Sequence, residues 1–293
     1  SITESYTFSL TQWEAQNLFG KCLYHAREHY QRHELSRGQE TEIVEEYFSL
    51  GHAEAVLESE MSQTKDESGD EDSETRRSME KQLESVRERR HALEGQTEEI
   101  ISKQISQILT EQGLSSKLWG AFPPVEFKMD ELPHLLIISP RDKIELVETV
   151  LLQENLSLGK ITEIENEAEE LGVSALIERV GGIATYPSMV PLTASLDDIL
   201  PTIVHEWMHQ YLFFHPLGRH YWASYEMRTI NETVADIAGE ELSSMVLQEH
   251  YNRETKKRNG ETPKTAFDFN KEMREIRLTV DRYMEEGKIE AAE

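Results

Sequence analysis

Two long stretches in the first third of the chain carry apolar residues at spacings of three and four. Ile43, Tyr47, Leu50, Leu57 and Met61 form the first, interrupted by Glu54; Met79, Leu83, Val86, Leu93 and Ile100 form the second, with Arg90 and Thr97 in its gaps. Such spacing lines one face of an α-helix. Between them, Gln63 to Ser73 is polar, acidic and contains Gly69, a loop composition. The pattern predicts two long helices folded back as an antiparallel coiled-coil hairpin. Trp13, Leu18 and Tyr24 suggest an earlier helix, with a break at Arg37-Gly38, and residues 9–112 are almost free of strand signals.

From Leu114 the texture changes, and Trp119, Phe122, Pro123 and Pro124 mark a new domain. Short β-type runs follow at Val125 to Met129 and Leu135 to Ser139, while Ile144 to Leu152 fits either period. Ile161 to Leu171 reads as an acidic amphipathic helix ended by Gly172, and Val173 to Val180 as a strand or short helix before Gly181-Gly182. Pro187 and Pro191 make Ile183 to Pro191 an extended segment. It is either a connector or an edge strand to which a further extended segment could add by backbone pairing. Asn252 to Thr262 reads as a polar loop, and a last helix from Ala266 carries Phe269, Met273, Ile276, Val280 and Tyr283 on one face that would close over the core. The expected class is α+β, mostly α. Residues 1–113 form a helical arm, and residues 114–293 a domain with a small mixed sheet.

The densest chemistry lies in Val204-His205-Glu206-Trp207-Met208-His209 and, some twenty residues on, Asn231-Glu232-Thr233-Val234-Ala235-Asp236. Residues Ile199 to Leu212 predict a helix that is apolar on most of its circumference, with Asp197 or Asp198 as its cap and Pro201 in the first turn. Residues i and i+4 share a helix face, so His205 and His209 can point two ring nitrogens at one ion. Glu206 projects beside that face and can reach a water there. Glu232 is the candidate third ligand. Asp236, one turn further, can accept the second ring N–H of a ligand histidine, and Asn231, next to Glu232 in sequence, is the other candidate group behind the ligands. Between the two segments, His220, Tyr221 and Tyr225 are candidate donors to an oxyanion.

These two segments resemble the gluzincin metallopeptidases, the thermolysin-like and aminopeptidase-like group, over residues 201–240. The resemblance implies a zincin-like catalytic domain. It implies zinc bound by His205, His209 and Glu232, Glu206 as general base, and Asp236 as partner of a ligand histidine. Two departures leave endopeptidase and aminopeptidase open. No G-x-M-E-N-like segment lies upstream, and Phe213 to His215 does not supply the Gly and third His of a metzincin. A second pattern, H-x-x-E-H at His25 to His29, sits among charged residues and reads as solvated surface.

Composition narrows the function further. With 30 basic and 56 acidic residues, the formal charge of −26 opposes nucleic-acid binding, which needs a basic face. Cys22 is the lone cysteine, so no intramolecular disulfide framework is expected. No apolar run reaches the ~18 residues of a membrane span, and no signal peptide is visible. The chain starts at Ser1 without Met and ends in charged helical sequence, so both ends look cut. An extracytoplasmic, membrane-tethered form with an excised anchor and a cytoplasmic form are both compatible with that. The expected function is a zinc-dependent peptidase acting on a peptide or protein. The alternatives are an idle zincin-like scaffold that binds a protein partner through the helical arm, and a zinc hydrolase of a non-peptide amide.

Overall fold

The computed structural model describes residues 6–31, 35–67, 73–116, 120–143, 145–253 and 268–292. Three helices come first: α1 (Leu10–Gln31), α2 (Arg37–Glu67) and α3 (Ser73–Glu111). Short strands follow as β1 (Ser115–Ser116), β2 (Gly120–Ala121), β3 (Phe127–Asp130), β4 (His134–Pro140) and β5 (Glu148–Leu152). Then come α4 (Leu158–Glu170), β6 (Val173–Arg179) and β7 (Ser188–Pro191), and after them α5 (Leu196–Phe213), α6 (Pro216–Arg219) and α7 (Tyr225–Tyr251). Helices α8 (Phe269–Glu285) and α9 (Ile289–Ala292) end the described chain. The class is α+β, mostly α. Helix α2 continues past Gln63 to Glu67, so the expected loop is shorter at its start; residues 68–72, Trp119 and most of the Asn252 to Thr262 segment lie outside the described residues.

The chain divides into two compact units. One comprises Trp13–Glu131 and Gly181–Thr255; the other comprises Ser1–Gln12, Leu132–Val180 and Lys256–Glu293. This division does not follow the boundary expected at residue 114. The reason is visible in the core of the first unit. Val44 and Tyr47 of α2, and Leu93, Ile100, Ile101 and Ile105 of α3, are buried in one cluster with Ile203, Val204 and Trp207 of α5 and Val246 of α7. The apolar faces of α2 and α3 are therefore part of the wall that holds the histidine-bearing helix.

Helices α2 and α3 run antiparallel, as their charge pairs show. Arg87 meets Glu54 and Glu58, Arg89 meets Glu46, and Lys103 meets Glu40, so rising numbers on one helix match falling numbers on the other. Glu54 and Arg90, two of the polar interruptions in the apolar pattern, face each other. Arg90 Nη1 donates to Glu54 Oε2 at 2.8 Å and its Nη2 to the Leu192 carbonyl at 2.5 Å, while its guanidinium lies 4.9 Å from the Tyr47 ring centre. Gly51 leaves the room for it: a Cβ there would lie 3.1 Å from Arg90 Cζ.

In the same unit β3 and β7 pair in parallel, Phe127 opposite Ser188 and Met129 opposite Val190, with Phe127 and Met129 buried at alternate positions. In the other unit, β5-β4-β6 form an antiparallel sheet, and α4 lies over it through Ile164. Pairing with β4 settles the ambiguous Ile144 to Leu152 run in favour of a strand at Glu148–Leu152. Helix α8 forms as an amphipathic element, but Met273 and Ile276 are exposed and belong to neither buried cluster. The expected burial of Met273 and Ile276 is thus corrected. Periodicity shows which residues share a face, not whether that face finds a partner.

Candidate metal centre

Helix α5 begins at Ser195, whose side chain accepts from Asp198 N–H, while Ser195 Oγ lies 2.6 Å from Asp198 Oδ2. The cap is therefore Ser195 rather than Asp197 or Asp198, and Pro201 falls in the second turn. There it cannot donate to the Asp197 carbonyl. Burial fixes the helix rotation: Ile199, Leu200, Ile203 and Val204 are essentially inaccessible, and buried Trp207 donates its indole N–H to the Pro123 carbonyl at 2.7 Å. Helix α7 starts at Ser224, whose hydroxyl accepts from Met227 N–H, and packs along α5. The approach is close at Gly239, where a Cβ would lie 2.8 Å from the Pro201 carbonyl oxygen and 3.6 Å from His205 Cβ.

That packing brings His205, His209 and Glu232 together, with one ligand-type atom from each within 4.8 Å of the others. His205 Nε2 and His209 Nε2 are 2.9 Å apart, and they lie 3.5 Å and 3.3 Å from Glu232 Oε2. The far side of each ring is fixed. His205 Nδ1 lies 3.0 Å from Asp236 Oδ1, and His209 Nδ1 lies 2.8 Å from Asn231 Oδ1. Both oxygens are acceptors, so each Nδ1 can donate outward, which turns Nε2 of each ring toward Glu232. Three ligand-type atoms thus converge, an arrangement that suits a cation. Ligand atoms about 2.1 Å from a tetrahedral ion lie roughly 3.4 Å apart, close to the two separations from Glu232. Burial, then the neighbouring His209, hold the His205 pKa below its ordinary value, which keeps the ring in the neutral form a metal needs.

Glu206 is buried at 7% exposure, with its carboxyl against Gly182. A Cβ on Gly182 would lie 2.9 Å from Glu206 Cδ, so the absent side chain is the space the carboxyl occupies. Burial, and after it the charge of Glu232, raise the Glu206 pKa to about 8. Tyr221 donates its hydroxyl to Glu232 Oε1 at 2.6 Å, leaving Oε2 directed at the histidines. Burial and that bond push its own pKa up to about 12.

The other two oxyanion candidates are not brought to the cluster. His220 is exposed and its Nδ1 donates to the Pro216 carbonyl at 2.7 Å. Tyr225 is 77% exposed at the start of α7. Helix α1 runs through His25 to His29, whose side chains lie outside the described residues. In β7, Ser188 N–H donates to the Glu126 carbonyl, while Met189 exchanges both backbone bonds with Ile183. The edge a peptide strand would use is therefore met at Met189 by the chain itself. Sequence reasoning read Gly182 only as the end of the preceding segment and passed over Gly239 and Ser195. The signals were a glycine inside an apolar helical pattern and a serine three residues before an aspartate.

No protein-family model, no curated protein and no solved structure matches this chain.

Proposed function

We propose that the chain is a zinc-dependent peptidase built on a zincin-like domain, as the gluzincin resemblance implies. The observation that carries the reading is the convergence of His205, His209 and Glu232, with Asp236 and Asn231 tying back both imidazoles. Two histidines and a carboxylate form the ligand set of a catalytic zinc with one open position. When bound, the ion supplies a Lewis acid that acidifies water and polarises a carbonyl.

The chain's own groups do the rest. Asp236 and Asn231 hold each ring in the Nδ1–H tautomer and so present Nε2 for binding. Tyr221 occupies Glu232 Oε1, which leaves Oε2 as the ligating oxygen. Glu206 takes the proton from the attacking water and passes it to the leaving amine. Beside a bound dication its raised pKa falls, and the carboxyl ionises as a base must. Gly182 gives that carboxyl its place. A scaffold that only bound zinc would have no need of a buried carboxyl beside the ligand set, which favours the enzyme reading over the binding module. The coiled-coil character of the α2–α3 hairpin belongs to the same proposal.

The test is zinc content and peptide cleavage of the purified protein beside Glu232→Ala and Glu206→Gln. The expected result is one zinc per chain in the wild type, lost in Glu232→Ala. Glu206→Gln should keep zinc while cleavage falls by a factor on the order of 10²–10⁴. Zinc retained in Glu232→Ala, or cleavage retained in Glu206→Gln, would overturn the assignment.

A further inference from the structure

One cation near the centre is unlike its neighbours. In a chain with 56 acidic and 30 basic residues, the arginines of α2 and α3 that face each other's helix meet carboxylates: Arg87 meets Glu54, Arg89 meets Glu46 and Arg90 meets Glu54. Arg228 meets none among the described residues. Its guanidinium instead lies 4.9 Å from the Trp222 ring centre and 5.7 Å from that of Tyr221. Its Nε is buried without a hydrogen-bond partner among the described residues. Stacking on rings engages the faces of a guanidinium and leaves its in-plane N–H groups free, and these match the two oxygens of a carboxylate.

The position is as telling as the missing partner. Arg228 and Glu232 are i and i+4 on α7, neighbours on one face about 6 Å apart along the axis. Tyr221, one of the two rings against Arg228, is the residue that donates to Glu232. A molecule held by the Arg228 fork therefore sits about two residues' length or less from the metal-ligand cluster, given ~3.4 Å per extended residue. The strongly negative chain would otherwise repel such a group, so a cation here that meets no carboxylate among the described residues acts as a selector.

We propose that Arg228 is the specificity-determining residue of this site and binds a carboxylate of the ligand. This rests on the peptidase reading, in which the ligand is a peptide; the carboxylate is either its free C-terminus or an acidic side chain next to the cleaved bond. Trp222, 77% exposed, forms the outer wall of that subsite.

The experiment is calorimetric titration of zinc-loaded Glu206→Gln protein with three probes. They are N-acetyl-trialanine with a free carboxylate, its carboxamide, and N-acetyl-Ala-Glu-Ala carboxamide. At least one carboxylate probe should bind on the order of tenfold or more tightly than the carboxamide, as a charge-assisted pair does. Which of the two does so identifies the source of the carboxylate. In the Arg228→Gln background the preference should vanish, whereas Arg228→Lys, which keeps the charge without the fork, should retain part of it. Circular dichroism confirms that each variant is folded. Equal affinity for all three probes, no binding of any, or a preference that survives Arg228→Gln would overturn the proposal. The two readings fail separately. A protein that takes no zinc but shows an Arg228-dependent preference sinks the peptidase reading alone. One that cleaves peptides with no such preference sinks this inference alone.

Discussion

Gly239→Ala tests whether the α5–α7 contact sets the metal centre. The added Cβ would lie 2.8 Å from the Pro201 carbonyl oxygen, a backbone atom that cannot swing aside. Ordinary contact is about 3.4 Å or more, so the helices must part by roughly 0.6 Å at the level of His205. His205 and His209 ride on one helix and Glu232 on the other, and metal sites hold their distances to about ±0.2 Å. Overpacking of this kind costs about 1–3 kcal/mol, and the better helix propensity of Ala returns about 1 kcal/mol, leaving a net loss of about 0–2 kcal/mol. The variant should therefore fold and melt about 0–8 °C lower without zinc, at ~2–4 °C per kcal/mol. Its zinc affinity should fall about tenfold or more, so that added zinc widens the gap in melting temperature. Calorimetric melts with and without zinc, together with competition against a chelator, measure both quantities. Wild-type zinc affinity in a variant that melts as high as the parent would refute the argument that the close contact at Gly239 positions the ligands.

Three further outcomes follow from single contacts. Asp236→Ala frees the His205 ring and should lower zinc affinity by about 10–100-fold in a chelator competition, whereas unchanged affinity would remove Asp236 from the assembly. Gly182→Ala should displace the Glu206 carboxyl, so that cleavage drops while zinc content stays at the wild-type level; loss of both together would mean a wider collapse. His250 is buried with neither ring nitrogen bonded to a described residue, and burial, then Arg37, lower its pKa from the ordinary 6.5; Glu249, Glu40 and Glu111 oppose that shift. Its contribution is fully present above pH 6.5 and is lost as pH falls through the folded-state value, because only the unfolded chain takes up the proton in between. His250→Leu should therefore flatten the decline of stability below pH 6.5, where the wild type loses up to about 1.4 kcal/mol per pH unit; parallel denaturation curves for the two proteins would count against it.

How much was legible beforehand depends on the range of the interaction. The periodicity of α2, α3 and α5, the i and i+4 placement of His205 with His209, and that of Glu232 with Asp236 are properties of a helix about its own axis. They follow from local spacing alone. The cap of α5 was misplaced because Ser195, Asp197 and Asp198 are all good capping residues, and only backbone geometry separates them. Among the oxyanion candidates, Tyr221 was indistinguishable from His220 and Tyr225 until the fold set its hydroxyl on Glu232.

What the sequence by itself determined was therefore the long helices and the pairs of polar residues carried on each face. The tertiary structure decided which faces meet. It placed the base of the α2–α3 hairpin in the core beneath α5 instead of leaving it a separate arm, because the apolar faces of Val44, Tyr47 and Ile101 find the buried side of Val204 and Trp207. It left the apolar residues Met273 and Ile276 of α8 exposed. It brought Glu232 within 3.5 Å of two histidines more than twenty residues away in sequence. It left Arg228 beside that cluster without a counter-ion among the described residues. Contacts between elements depend on the summed packing of many side chains, and no single stretch of sequence contains that sum.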